Sequence, residues 1–155
     1  MTELAAGSKA PDFSLPRDGG GTVSLSVFSG KPVVLFFYPK DDTPSCTSEA
    51  IAFSTLNPAF SALGAAVIGL SPDSVKKHDK FAAKHGLSVI LAADEDKSTI
   101  EAYGVWKEKS LYGRKYMGVE RTTFLVDGDG VIVNVWEKVK VPGHAEDVLK
   151  AVEAL

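Results

Sequence analysis

Cysteine is the residue this chain most conspicuously lacks: its 155 residues contain one, Cys46. A single thiol excludes an intrachain disulfide, a Cys-x-x-Cys dithiol and any zinc or iron–sulfur site built from several cysteines of this chain. Histidine is scarce as well. His78, His85 and His144 lack clustered carboxylates and metal-ligand spacing, and they read as surface residues, although His78 and His85 share one predicted helix. No apolar run approaches the roughly 20 residues that span a bilayer, so no membrane partner is expected. Met1, Thr2, Glu3 and Leu4 do not form the basic and apolar pattern of a signal peptide, and the expected location is cytoplasmic. Positive charge is not in excess: seventeen Lys and Arg stand against twenty Asp and Glu, a formal net charge of -3. That balance gives no field for a nucleic-acid partner. What remains is 45% apolar and 24% charged, the balance of a chain that buries a core. The length fits one domain over residues 1–155.

The apolar patterning divides into strands and helices. Val33 to Tyr38 is apolar without alternation, as in a strand covered on both faces, and Pro39 ends it. Ala65–Leu70, Val89–Ala92 and Thr123–Val126 are similar, shorter or equal runs bounded by turn formers. Asp127-Gly128-Asp129-Gly130 predicts a hairpin turn between Phe124–Val126 and Val131–Val135. It resembles the start of a calcium loop, but no Glu stands at the twelfth position. Asp18 with Gly19, Gly20 and Gly21 predicts the loop of an N-terminal β-hairpin. Helices are predicted over roughly 45–63, interrupted near Asn57 and Pro58, over 74–85 closed by Gly86, near 97–103, and at the C-terminus. There Val148, Ala151, Val152 and Leu155 share one face. The order implies an α/β protein with a central mixed β-sheet flanked by helices on both faces, of the thioredoxin-like variety.

Chemistry concentrates between Tyr38 and Glu49, where a buried strand gives way to a helix. Thr43 is a favoured N-cap and Pro44 a favoured first helical residue, which puts Cys46 about third in the first turn. Unpaired N–H groups and the positive end of the helix dipole favour its thiolate, the nucleophilic form. Asp41 and Asp42 oppose this, so the site calls for a cation that local sequence does not place; Lys40 can point to water. The competing reading is an inert cysteine packed as a small apolar residue.

Pro39, Thr43 and Cys46 match the Pro-x-x-x-Thr-x-x-Cys signature of the peroxiredoxins, and Phe37-Tyr38-Pro39-Lys40-Asp41-Asp42-Thr43-Pro44 resembles the Q-type, or bacterioferritin comigratory protein, branch. The likeness extends to Ala10-Pro11-Asp12-Phe13, Gly69-Leu70-Ser71-Pro72-Asp73 and Glu120-Arg121-Thr122-Thr123-Phe124. It implies a thiol peroxidase that reduces hydrogen peroxide and organic hydroperoxides. By this resemblance Cys46 is the peroxidatic nucleophile that becomes sulfenic acid, Thr43 and Arg121 bind the peroxide, Pro39 shields the sulfur, and Glu49 supports the site. It implies no cofactor and no metal, a thioredoxin or similar thiol as reductant, and a monomer. Read without it, Arg121 is a surface residue beside a strand.

The chain departs from that pattern in two respects. Resolving cysteines of Q-type relatives stand five residues after the peroxidatic one or in the next helix, and here those places hold Ile51 and Ala82. This fits a one-cysteine enzyme reduced directly by an external thiol, and equally a chain from which a resolving cysteine was removed. Ser45 stands where Gly is usual. Outside the site, Lys107, Lys109, Arg114 and Lys115 with Trp106, Tyr112 and Tyr116 form a basic aromatic cluster, read as a solvated loop bordering the active-site mouth and not as a single-strand binding patch. A second class of function, a non-catalytic thioredoxin-like redox sensor or binding module, shares the same cysteine chemistry.

Overall fold

The computed structural model describes residues 4–155, so Met1 to Glu3, which the signal-peptide reading used, lie outside the described residues. A five-stranded mixed sheet forms the centre. Its strands are β3 (Val33–Phe37), β4 (Ala66–Ser71), β5 (Ile90–Ala93), β8 (Thr122–Val126) and β9 (Ile132–Trp136), in the order β5-β4-β3-β8-β9. β3 runs parallel to β4 and antiparallel to β8. Every residue of β3 is buried, which follows from its place in the middle with both faces covered. Alternation then divides the core. Val33, Leu35 and Phe37 face α3 (Ser98–Ala102) and an N-terminal hairpin of β1 (Ser14–Pro16) and β2 (Thr22–Ser24). Val34, Phe36 and Tyr38 face the other way, under α1 (Pro44–Ala62), α2 (Val75–His85) and α4 (His144–Glu153).

Two expectations need correction. α1 is continuous and not broken at Pro58. A proline there cannot donate to the carbonyl of Ser54, one turn earlier. The Ser88 hydroxyl donates to that carbonyl instead, at 3.2 Å, while Ser88 N–H donates to Ser54 Oγ and the Asn57 side chain donates to the Ser88 carbonyl. The groups orphaned by Pro58 are thus paired from outside the helix, and it need not bend apart.

The basic aromatic cluster is not an irregular loop. It forms an antiparallel hairpin of β6 (Trp106–Leu111) and β7 (Arg114–Val119). Its two turn residues, Tyr112 and Gly113, both have positive φ, at 50° and 78°, the conformation that a two-residue hairpin turn requires. Neither strand carries the alternation of a half-buried surface, because most of their side chains are exposed.

Packing beneath the site is tight. Phe36 is stacked between Tyr38 and Phe53, and it lies across from Gly69 in the sheet. A Cβ added at Gly69 would approach Phe36 Cζ to 2.6 Å, and Phe36 is fully buried with no room to retreat. Gly69→Ala is therefore expected to destabilise the fold by about 1–3 kcal/mol, the usual range for overpacking. A denaturant midpoint equal to that of the parent chain would contradict this account.

Candidate active site

β3 delivers the chain to the site and α1 carries it away. Tyr38 continues the strand as a buried residue, Pro39 is half-buried, and Thr43 occupies the N-cap with extended backbone (φ -88°, ψ 155°). Pro44 opens the helix as expected, which makes Cys46 its third residue, 1% exposed. Thr43 does not cap with its side chain. Its hydroxyl donates to the Lys40 carbonyl at 2.9 Å, and its oxygen lone pairs remain for another donor.

The cation that the local sequence did not place comes from a distant segment. β8 pairs with β3 so that Thr122 lies opposite Phe37. The preceding residue, Arg121, is thereby set beside the stretch that follows β3. Its Nη2 donates to Cys46 Sγ at 3.2 Å, and its Nη1 to Glu49 Oε1 at 2.6 Å. Cys46 and Glu49 are three apart on one helix and so share a face. Arg121 is only 13% exposed at its side chain, and the surface reading fails because β-pairing draws it inward. Burial opposes its charge, but Glu49 and Cys46 hold the guanidinium above its ordinary pKa.

Glu49 is buried, and its Oε2 has no hydrogen-bond partner among the described residues. Burial pushes its pKa up to about 7, against the lowering charge and hydrogen bond of Arg121. The β6–β7 hairpin reaches the same neighbourhood. Lys109 is half-buried, and burial together with the Arg121 charge lowers its pKa.

The two aspartates that threatened the thiolate have other partners. Asp41 accepts from the Tyr38 hydroxyl at 2.6 Å and meets His78 Nδ1 at 2.6 Å. Asp42, held at φ 63°, pairs with Lys84 Nζ at 2.7 Å and His85 Nε2 at 2.9 Å.

The histidines correct the sequence reading. His78 and His144 are buried and His85 is half-buried, so they are not surface residues. Both His78 nitrogens face acceptors, Asp41 Oδ2 and the Ala92 carbonyl, an arrangement suited to the doubly protonated ring. Burial alone would lower its pKa, but Asp41 and the carbonyl reverse this and raise it. His144 is the opposite case: burial lowers its pKa to about 4, and its neutral Nε2 accepts from Thr123 Oγ1 at 2.8 Å. The position of His78 one turn before Phe81 is the one periodic signal of an inward face; His144, at the start of α4, has none comparable. Among the described residues no group of three or more His, Cys, Asp or Glu could hold a metal ion, and no helix is long and apolar enough to cross a membrane. Ala82 is half-buried on α2 and packs against the same core cluster as Cys46, whereas Ile51 is exposed on α1.

The AhpC/TSA family matches residues 6–135, and the chain belongs to that family. Within it the likeness is to the Bcp, or PrxQ, peroxiredoxins. Peroxiredoxin Bcp of Bacillus subtilis is 48% identical over 150 residues, covering 97% of this chain and 96% of the relative. Xanthomonas campestris peroxiredoxin Q superposes with a TM-score of 0.89 at 43% identity, covering 99% and 97% of the two chains. A cysteine variant of Xylella fastidiosa PrxQ gives 0.93 at 40% identity, covering 98% and 97%. The sheet with its flanking helices and N-terminal hairpin is thus the thioredoxin-like fold of the peroxiredoxins.

The raised pKa of Glu49 has a definite sign for stability. A carboxyl of ordinary value 4.5 that titrates near 7 when folded takes up a proton on folding between those pH values. Its contribution is complete below pH 4.5 and is lost as pH rises through 7. By the relation of 1.36 kcal/mol per pH unit, the parent chain should lose about 3 kcal/mol more than Glu49→Gln across that window. Chemical denaturation of both chains at several pH values measures this; parallel profiles would show that Glu49 is ionised throughout.

Proposed function

We propose that Cys46 is the peroxidatic nucleophile of this thiol peroxidase, with Arg121, Thr43 and Pro39 completing the site and Glu49 supporting it. The observation that carries the assignment is the 3.2 Å contact from Arg121 Nη2 to Cys46 Sγ at the start of α1. A guanidinium at that distance favours negative sulfur and lies where charge develops on the oxygen being expelled. The thiolate attacks one peroxide oxygen; an S–O bond forms and the O–O bond breaks. The departing oxygen takes a proton from solvent and leaves as alcohol or water, reduced by the two electrons that sulfur loses as it becomes sulfenic acid. The Thr43 hydroxyl, its proton directed to the Lys40 carbonyl, accepts the hydroperoxide O–H and holds it in line. Pro39 shields the sulfur from water.

Return to the thiol requires two external thiols. The first condenses with the sulfenic acid and releases water; the second displaces Cys46 from the mixed disulfide. A thioredoxin or a similar thiol protein is the reductant proposed, and the chain acts as a cytoplasmic monomer of one domain. Removing either hydrogen-bonding group should cost about 2.7–4 kcal/mol of transition-state stabilisation. Thr43→Val and Arg121→Met should each slow Cys46 oxidation roughly 100-fold to 1,000-fold in stopped-flow measurements, with far smaller changes in stability. Rates within about threefold of the parent would remove the assignment. Peroxide consumption under excess dithiol separates enzyme from sensor, since a sensor reacts about once per chain.

Ala82 is proposed as the place of an absent resolving cysteine. Cysteine variants of the Xanthomonas campestris protein have been solved at two positions, and those two are spaced as Cys46 and Ala82 are here. Ala82→Cys should give a faster monomer band on non-reducing electrophoresis after peroxide, provided α2 lets the two Cα atoms come within about 7 Å. An unchanged band would refute the placement.

A further inference from the structure

The Thr43 oxygen presents its lone pairs to a peroxide O–H when its own proton is directed away, and what directs it is one peptide unit. The Lys40 carbonyl accepts from Thr43 Oγ1 at 2.9 Å. The N–H of the same unit, that of Asp41, donates to Asp73 Oδ2 at 2.7 Å. In a trans peptide these two groups point in opposite directions on one rigid plane. Asp73 therefore grips one edge of the plane and Thr43 the other.

Asp73 is itself fixed. It lies almost fully buried between β4 and α2, where Ser71 Oγ donates to the same Oδ2 at 2.7 Å, Asp73 N–H donates back to Ser71 Oγ, and Lys77 Nζ stands 3.5 Å from Oδ1. The Asp41 carboxylate is engaged elsewhere, by the Tyr38 hydroxyl and by His78, which leaves its N–H to Asp73. A carboxylate on an amide N–H polarises the amide, raises electron density on its carbonyl oxygen, and strengthens the bond which that oxygen accepts.

We infer that Asp73 is a positioning residue for peroxide reduction, acting through the Lys40–Asp41 peptide to fix the Thr43 hydroxyl with its lone pairs toward the substrate. The inference rests on the role assigned to Thr43. It gives a functional reason for a buried acid on a loop that contributes no group to the peroxide itself. A purely structural role, anchoring the start of α2, would use the same contacts, so the test must read through Thr43.

The experiment is a double-mutant cycle on Cys46 oxidation by hydrogen peroxide, followed by stopped flow. Asp73→Ala should slow the reaction about 10-fold, and Asp73→Asn, whose amide oxygen still accepts the Asp41 N–H, should stay within about threefold. In a Thr43→Val background Asp73→Ala should change the rate by less than about twofold, because the hydroxyl it orients is gone. Alkylation of Cys46 by iodoacetamide, which needs no Thr43, should be unaltered by Asp73→Ala. An equal loss in both backgrounds, or a matching loss of alkylation, would overturn the inference. Thr43→Val reacting at the parent rate would instead overturn the role of Thr43. Should Asp73→Ala not fold, Ser71→Ala, which removes the hydroxyl that fixes Asp73 through both its Oδ2 and its N–H, is expected to slow oxidation about threefold with Thr43 present and not without it; equal effects would be decisive against the proposal.

Discussion

One guanidinium governs the site. Arg121 is drawn into a largely dry position and needs compensation there, since a buried charge without a partner costs several kcal/mol. Two groups on one face of α1 supply it, the Cys46 sulfur and the Glu49 carboxylate. They share a single positive charge. A protonated Glu49 leaves more of that charge to sulfur, and an ionised Glu49 divides it. Burial raises the pKa of Glu49, so the proton on this carboxyl bears on how the Arg121 charge is divided between its two partners.

The scaffold makes this contact unavoidable. β3 is central and wholly buried, so its exit point lies at the end of the sheet with neighbours on either side. The antiparallel register with β8 leaves no choice about where Arg121 falls: a shift of one residue would turn it to the other face. Proline at the first position of α1 ends the extended backbone and places Cys46 among N–H groups that the helix does not use itself. Position, charge and donor groups thus come from three separate constraints that meet at one atom.

Legibility in the sequence followed the range of each interaction. The strand ending at Pro39 and the helix opening at Pro44 are local, and their residue types announce them. Arg121 is 75 residues from Cys46, and nothing near it distinguishes a site residue from a surface one; it was legible only as part of a recognised family pattern. His78 shares a helical face with Phe81, but it and His144 were misread because the partners that allow their burial lie far off, Asp41 in one case and Thr123 in the other. Pro58 misled for a similar reason, since the serine that mends the helix stands in another segment. The β6–β7 hairpin escaped notice because exposure on both faces erased the alternation, and only Tyr112-Gly113 marked its turn.

The same long-range pairs bear on why a missing second thiol matters. α2 is tied to the loop between β3 and α1 at two places, by His78 to Asp41 and by Lys84 and His85 to Asp42. Ala82 lies between them, one turn beyond His78. A residue there cannot leave the helix for Cys46 without loosening at least one tether. The buried pair is the stronger restraint, since breaking it strands a charge away from water, while the exposed pair at Asp42 is screened and worth little. Opening should therefore begin at the Lys84 end, where Gly86 already ends the helix in a left-handed turn. With alanine at 82 nothing is gained by such opening. An alanine at 82 has no sulfur to bring toward Cys46, so the tethers restrain a helix that carries no second thiol.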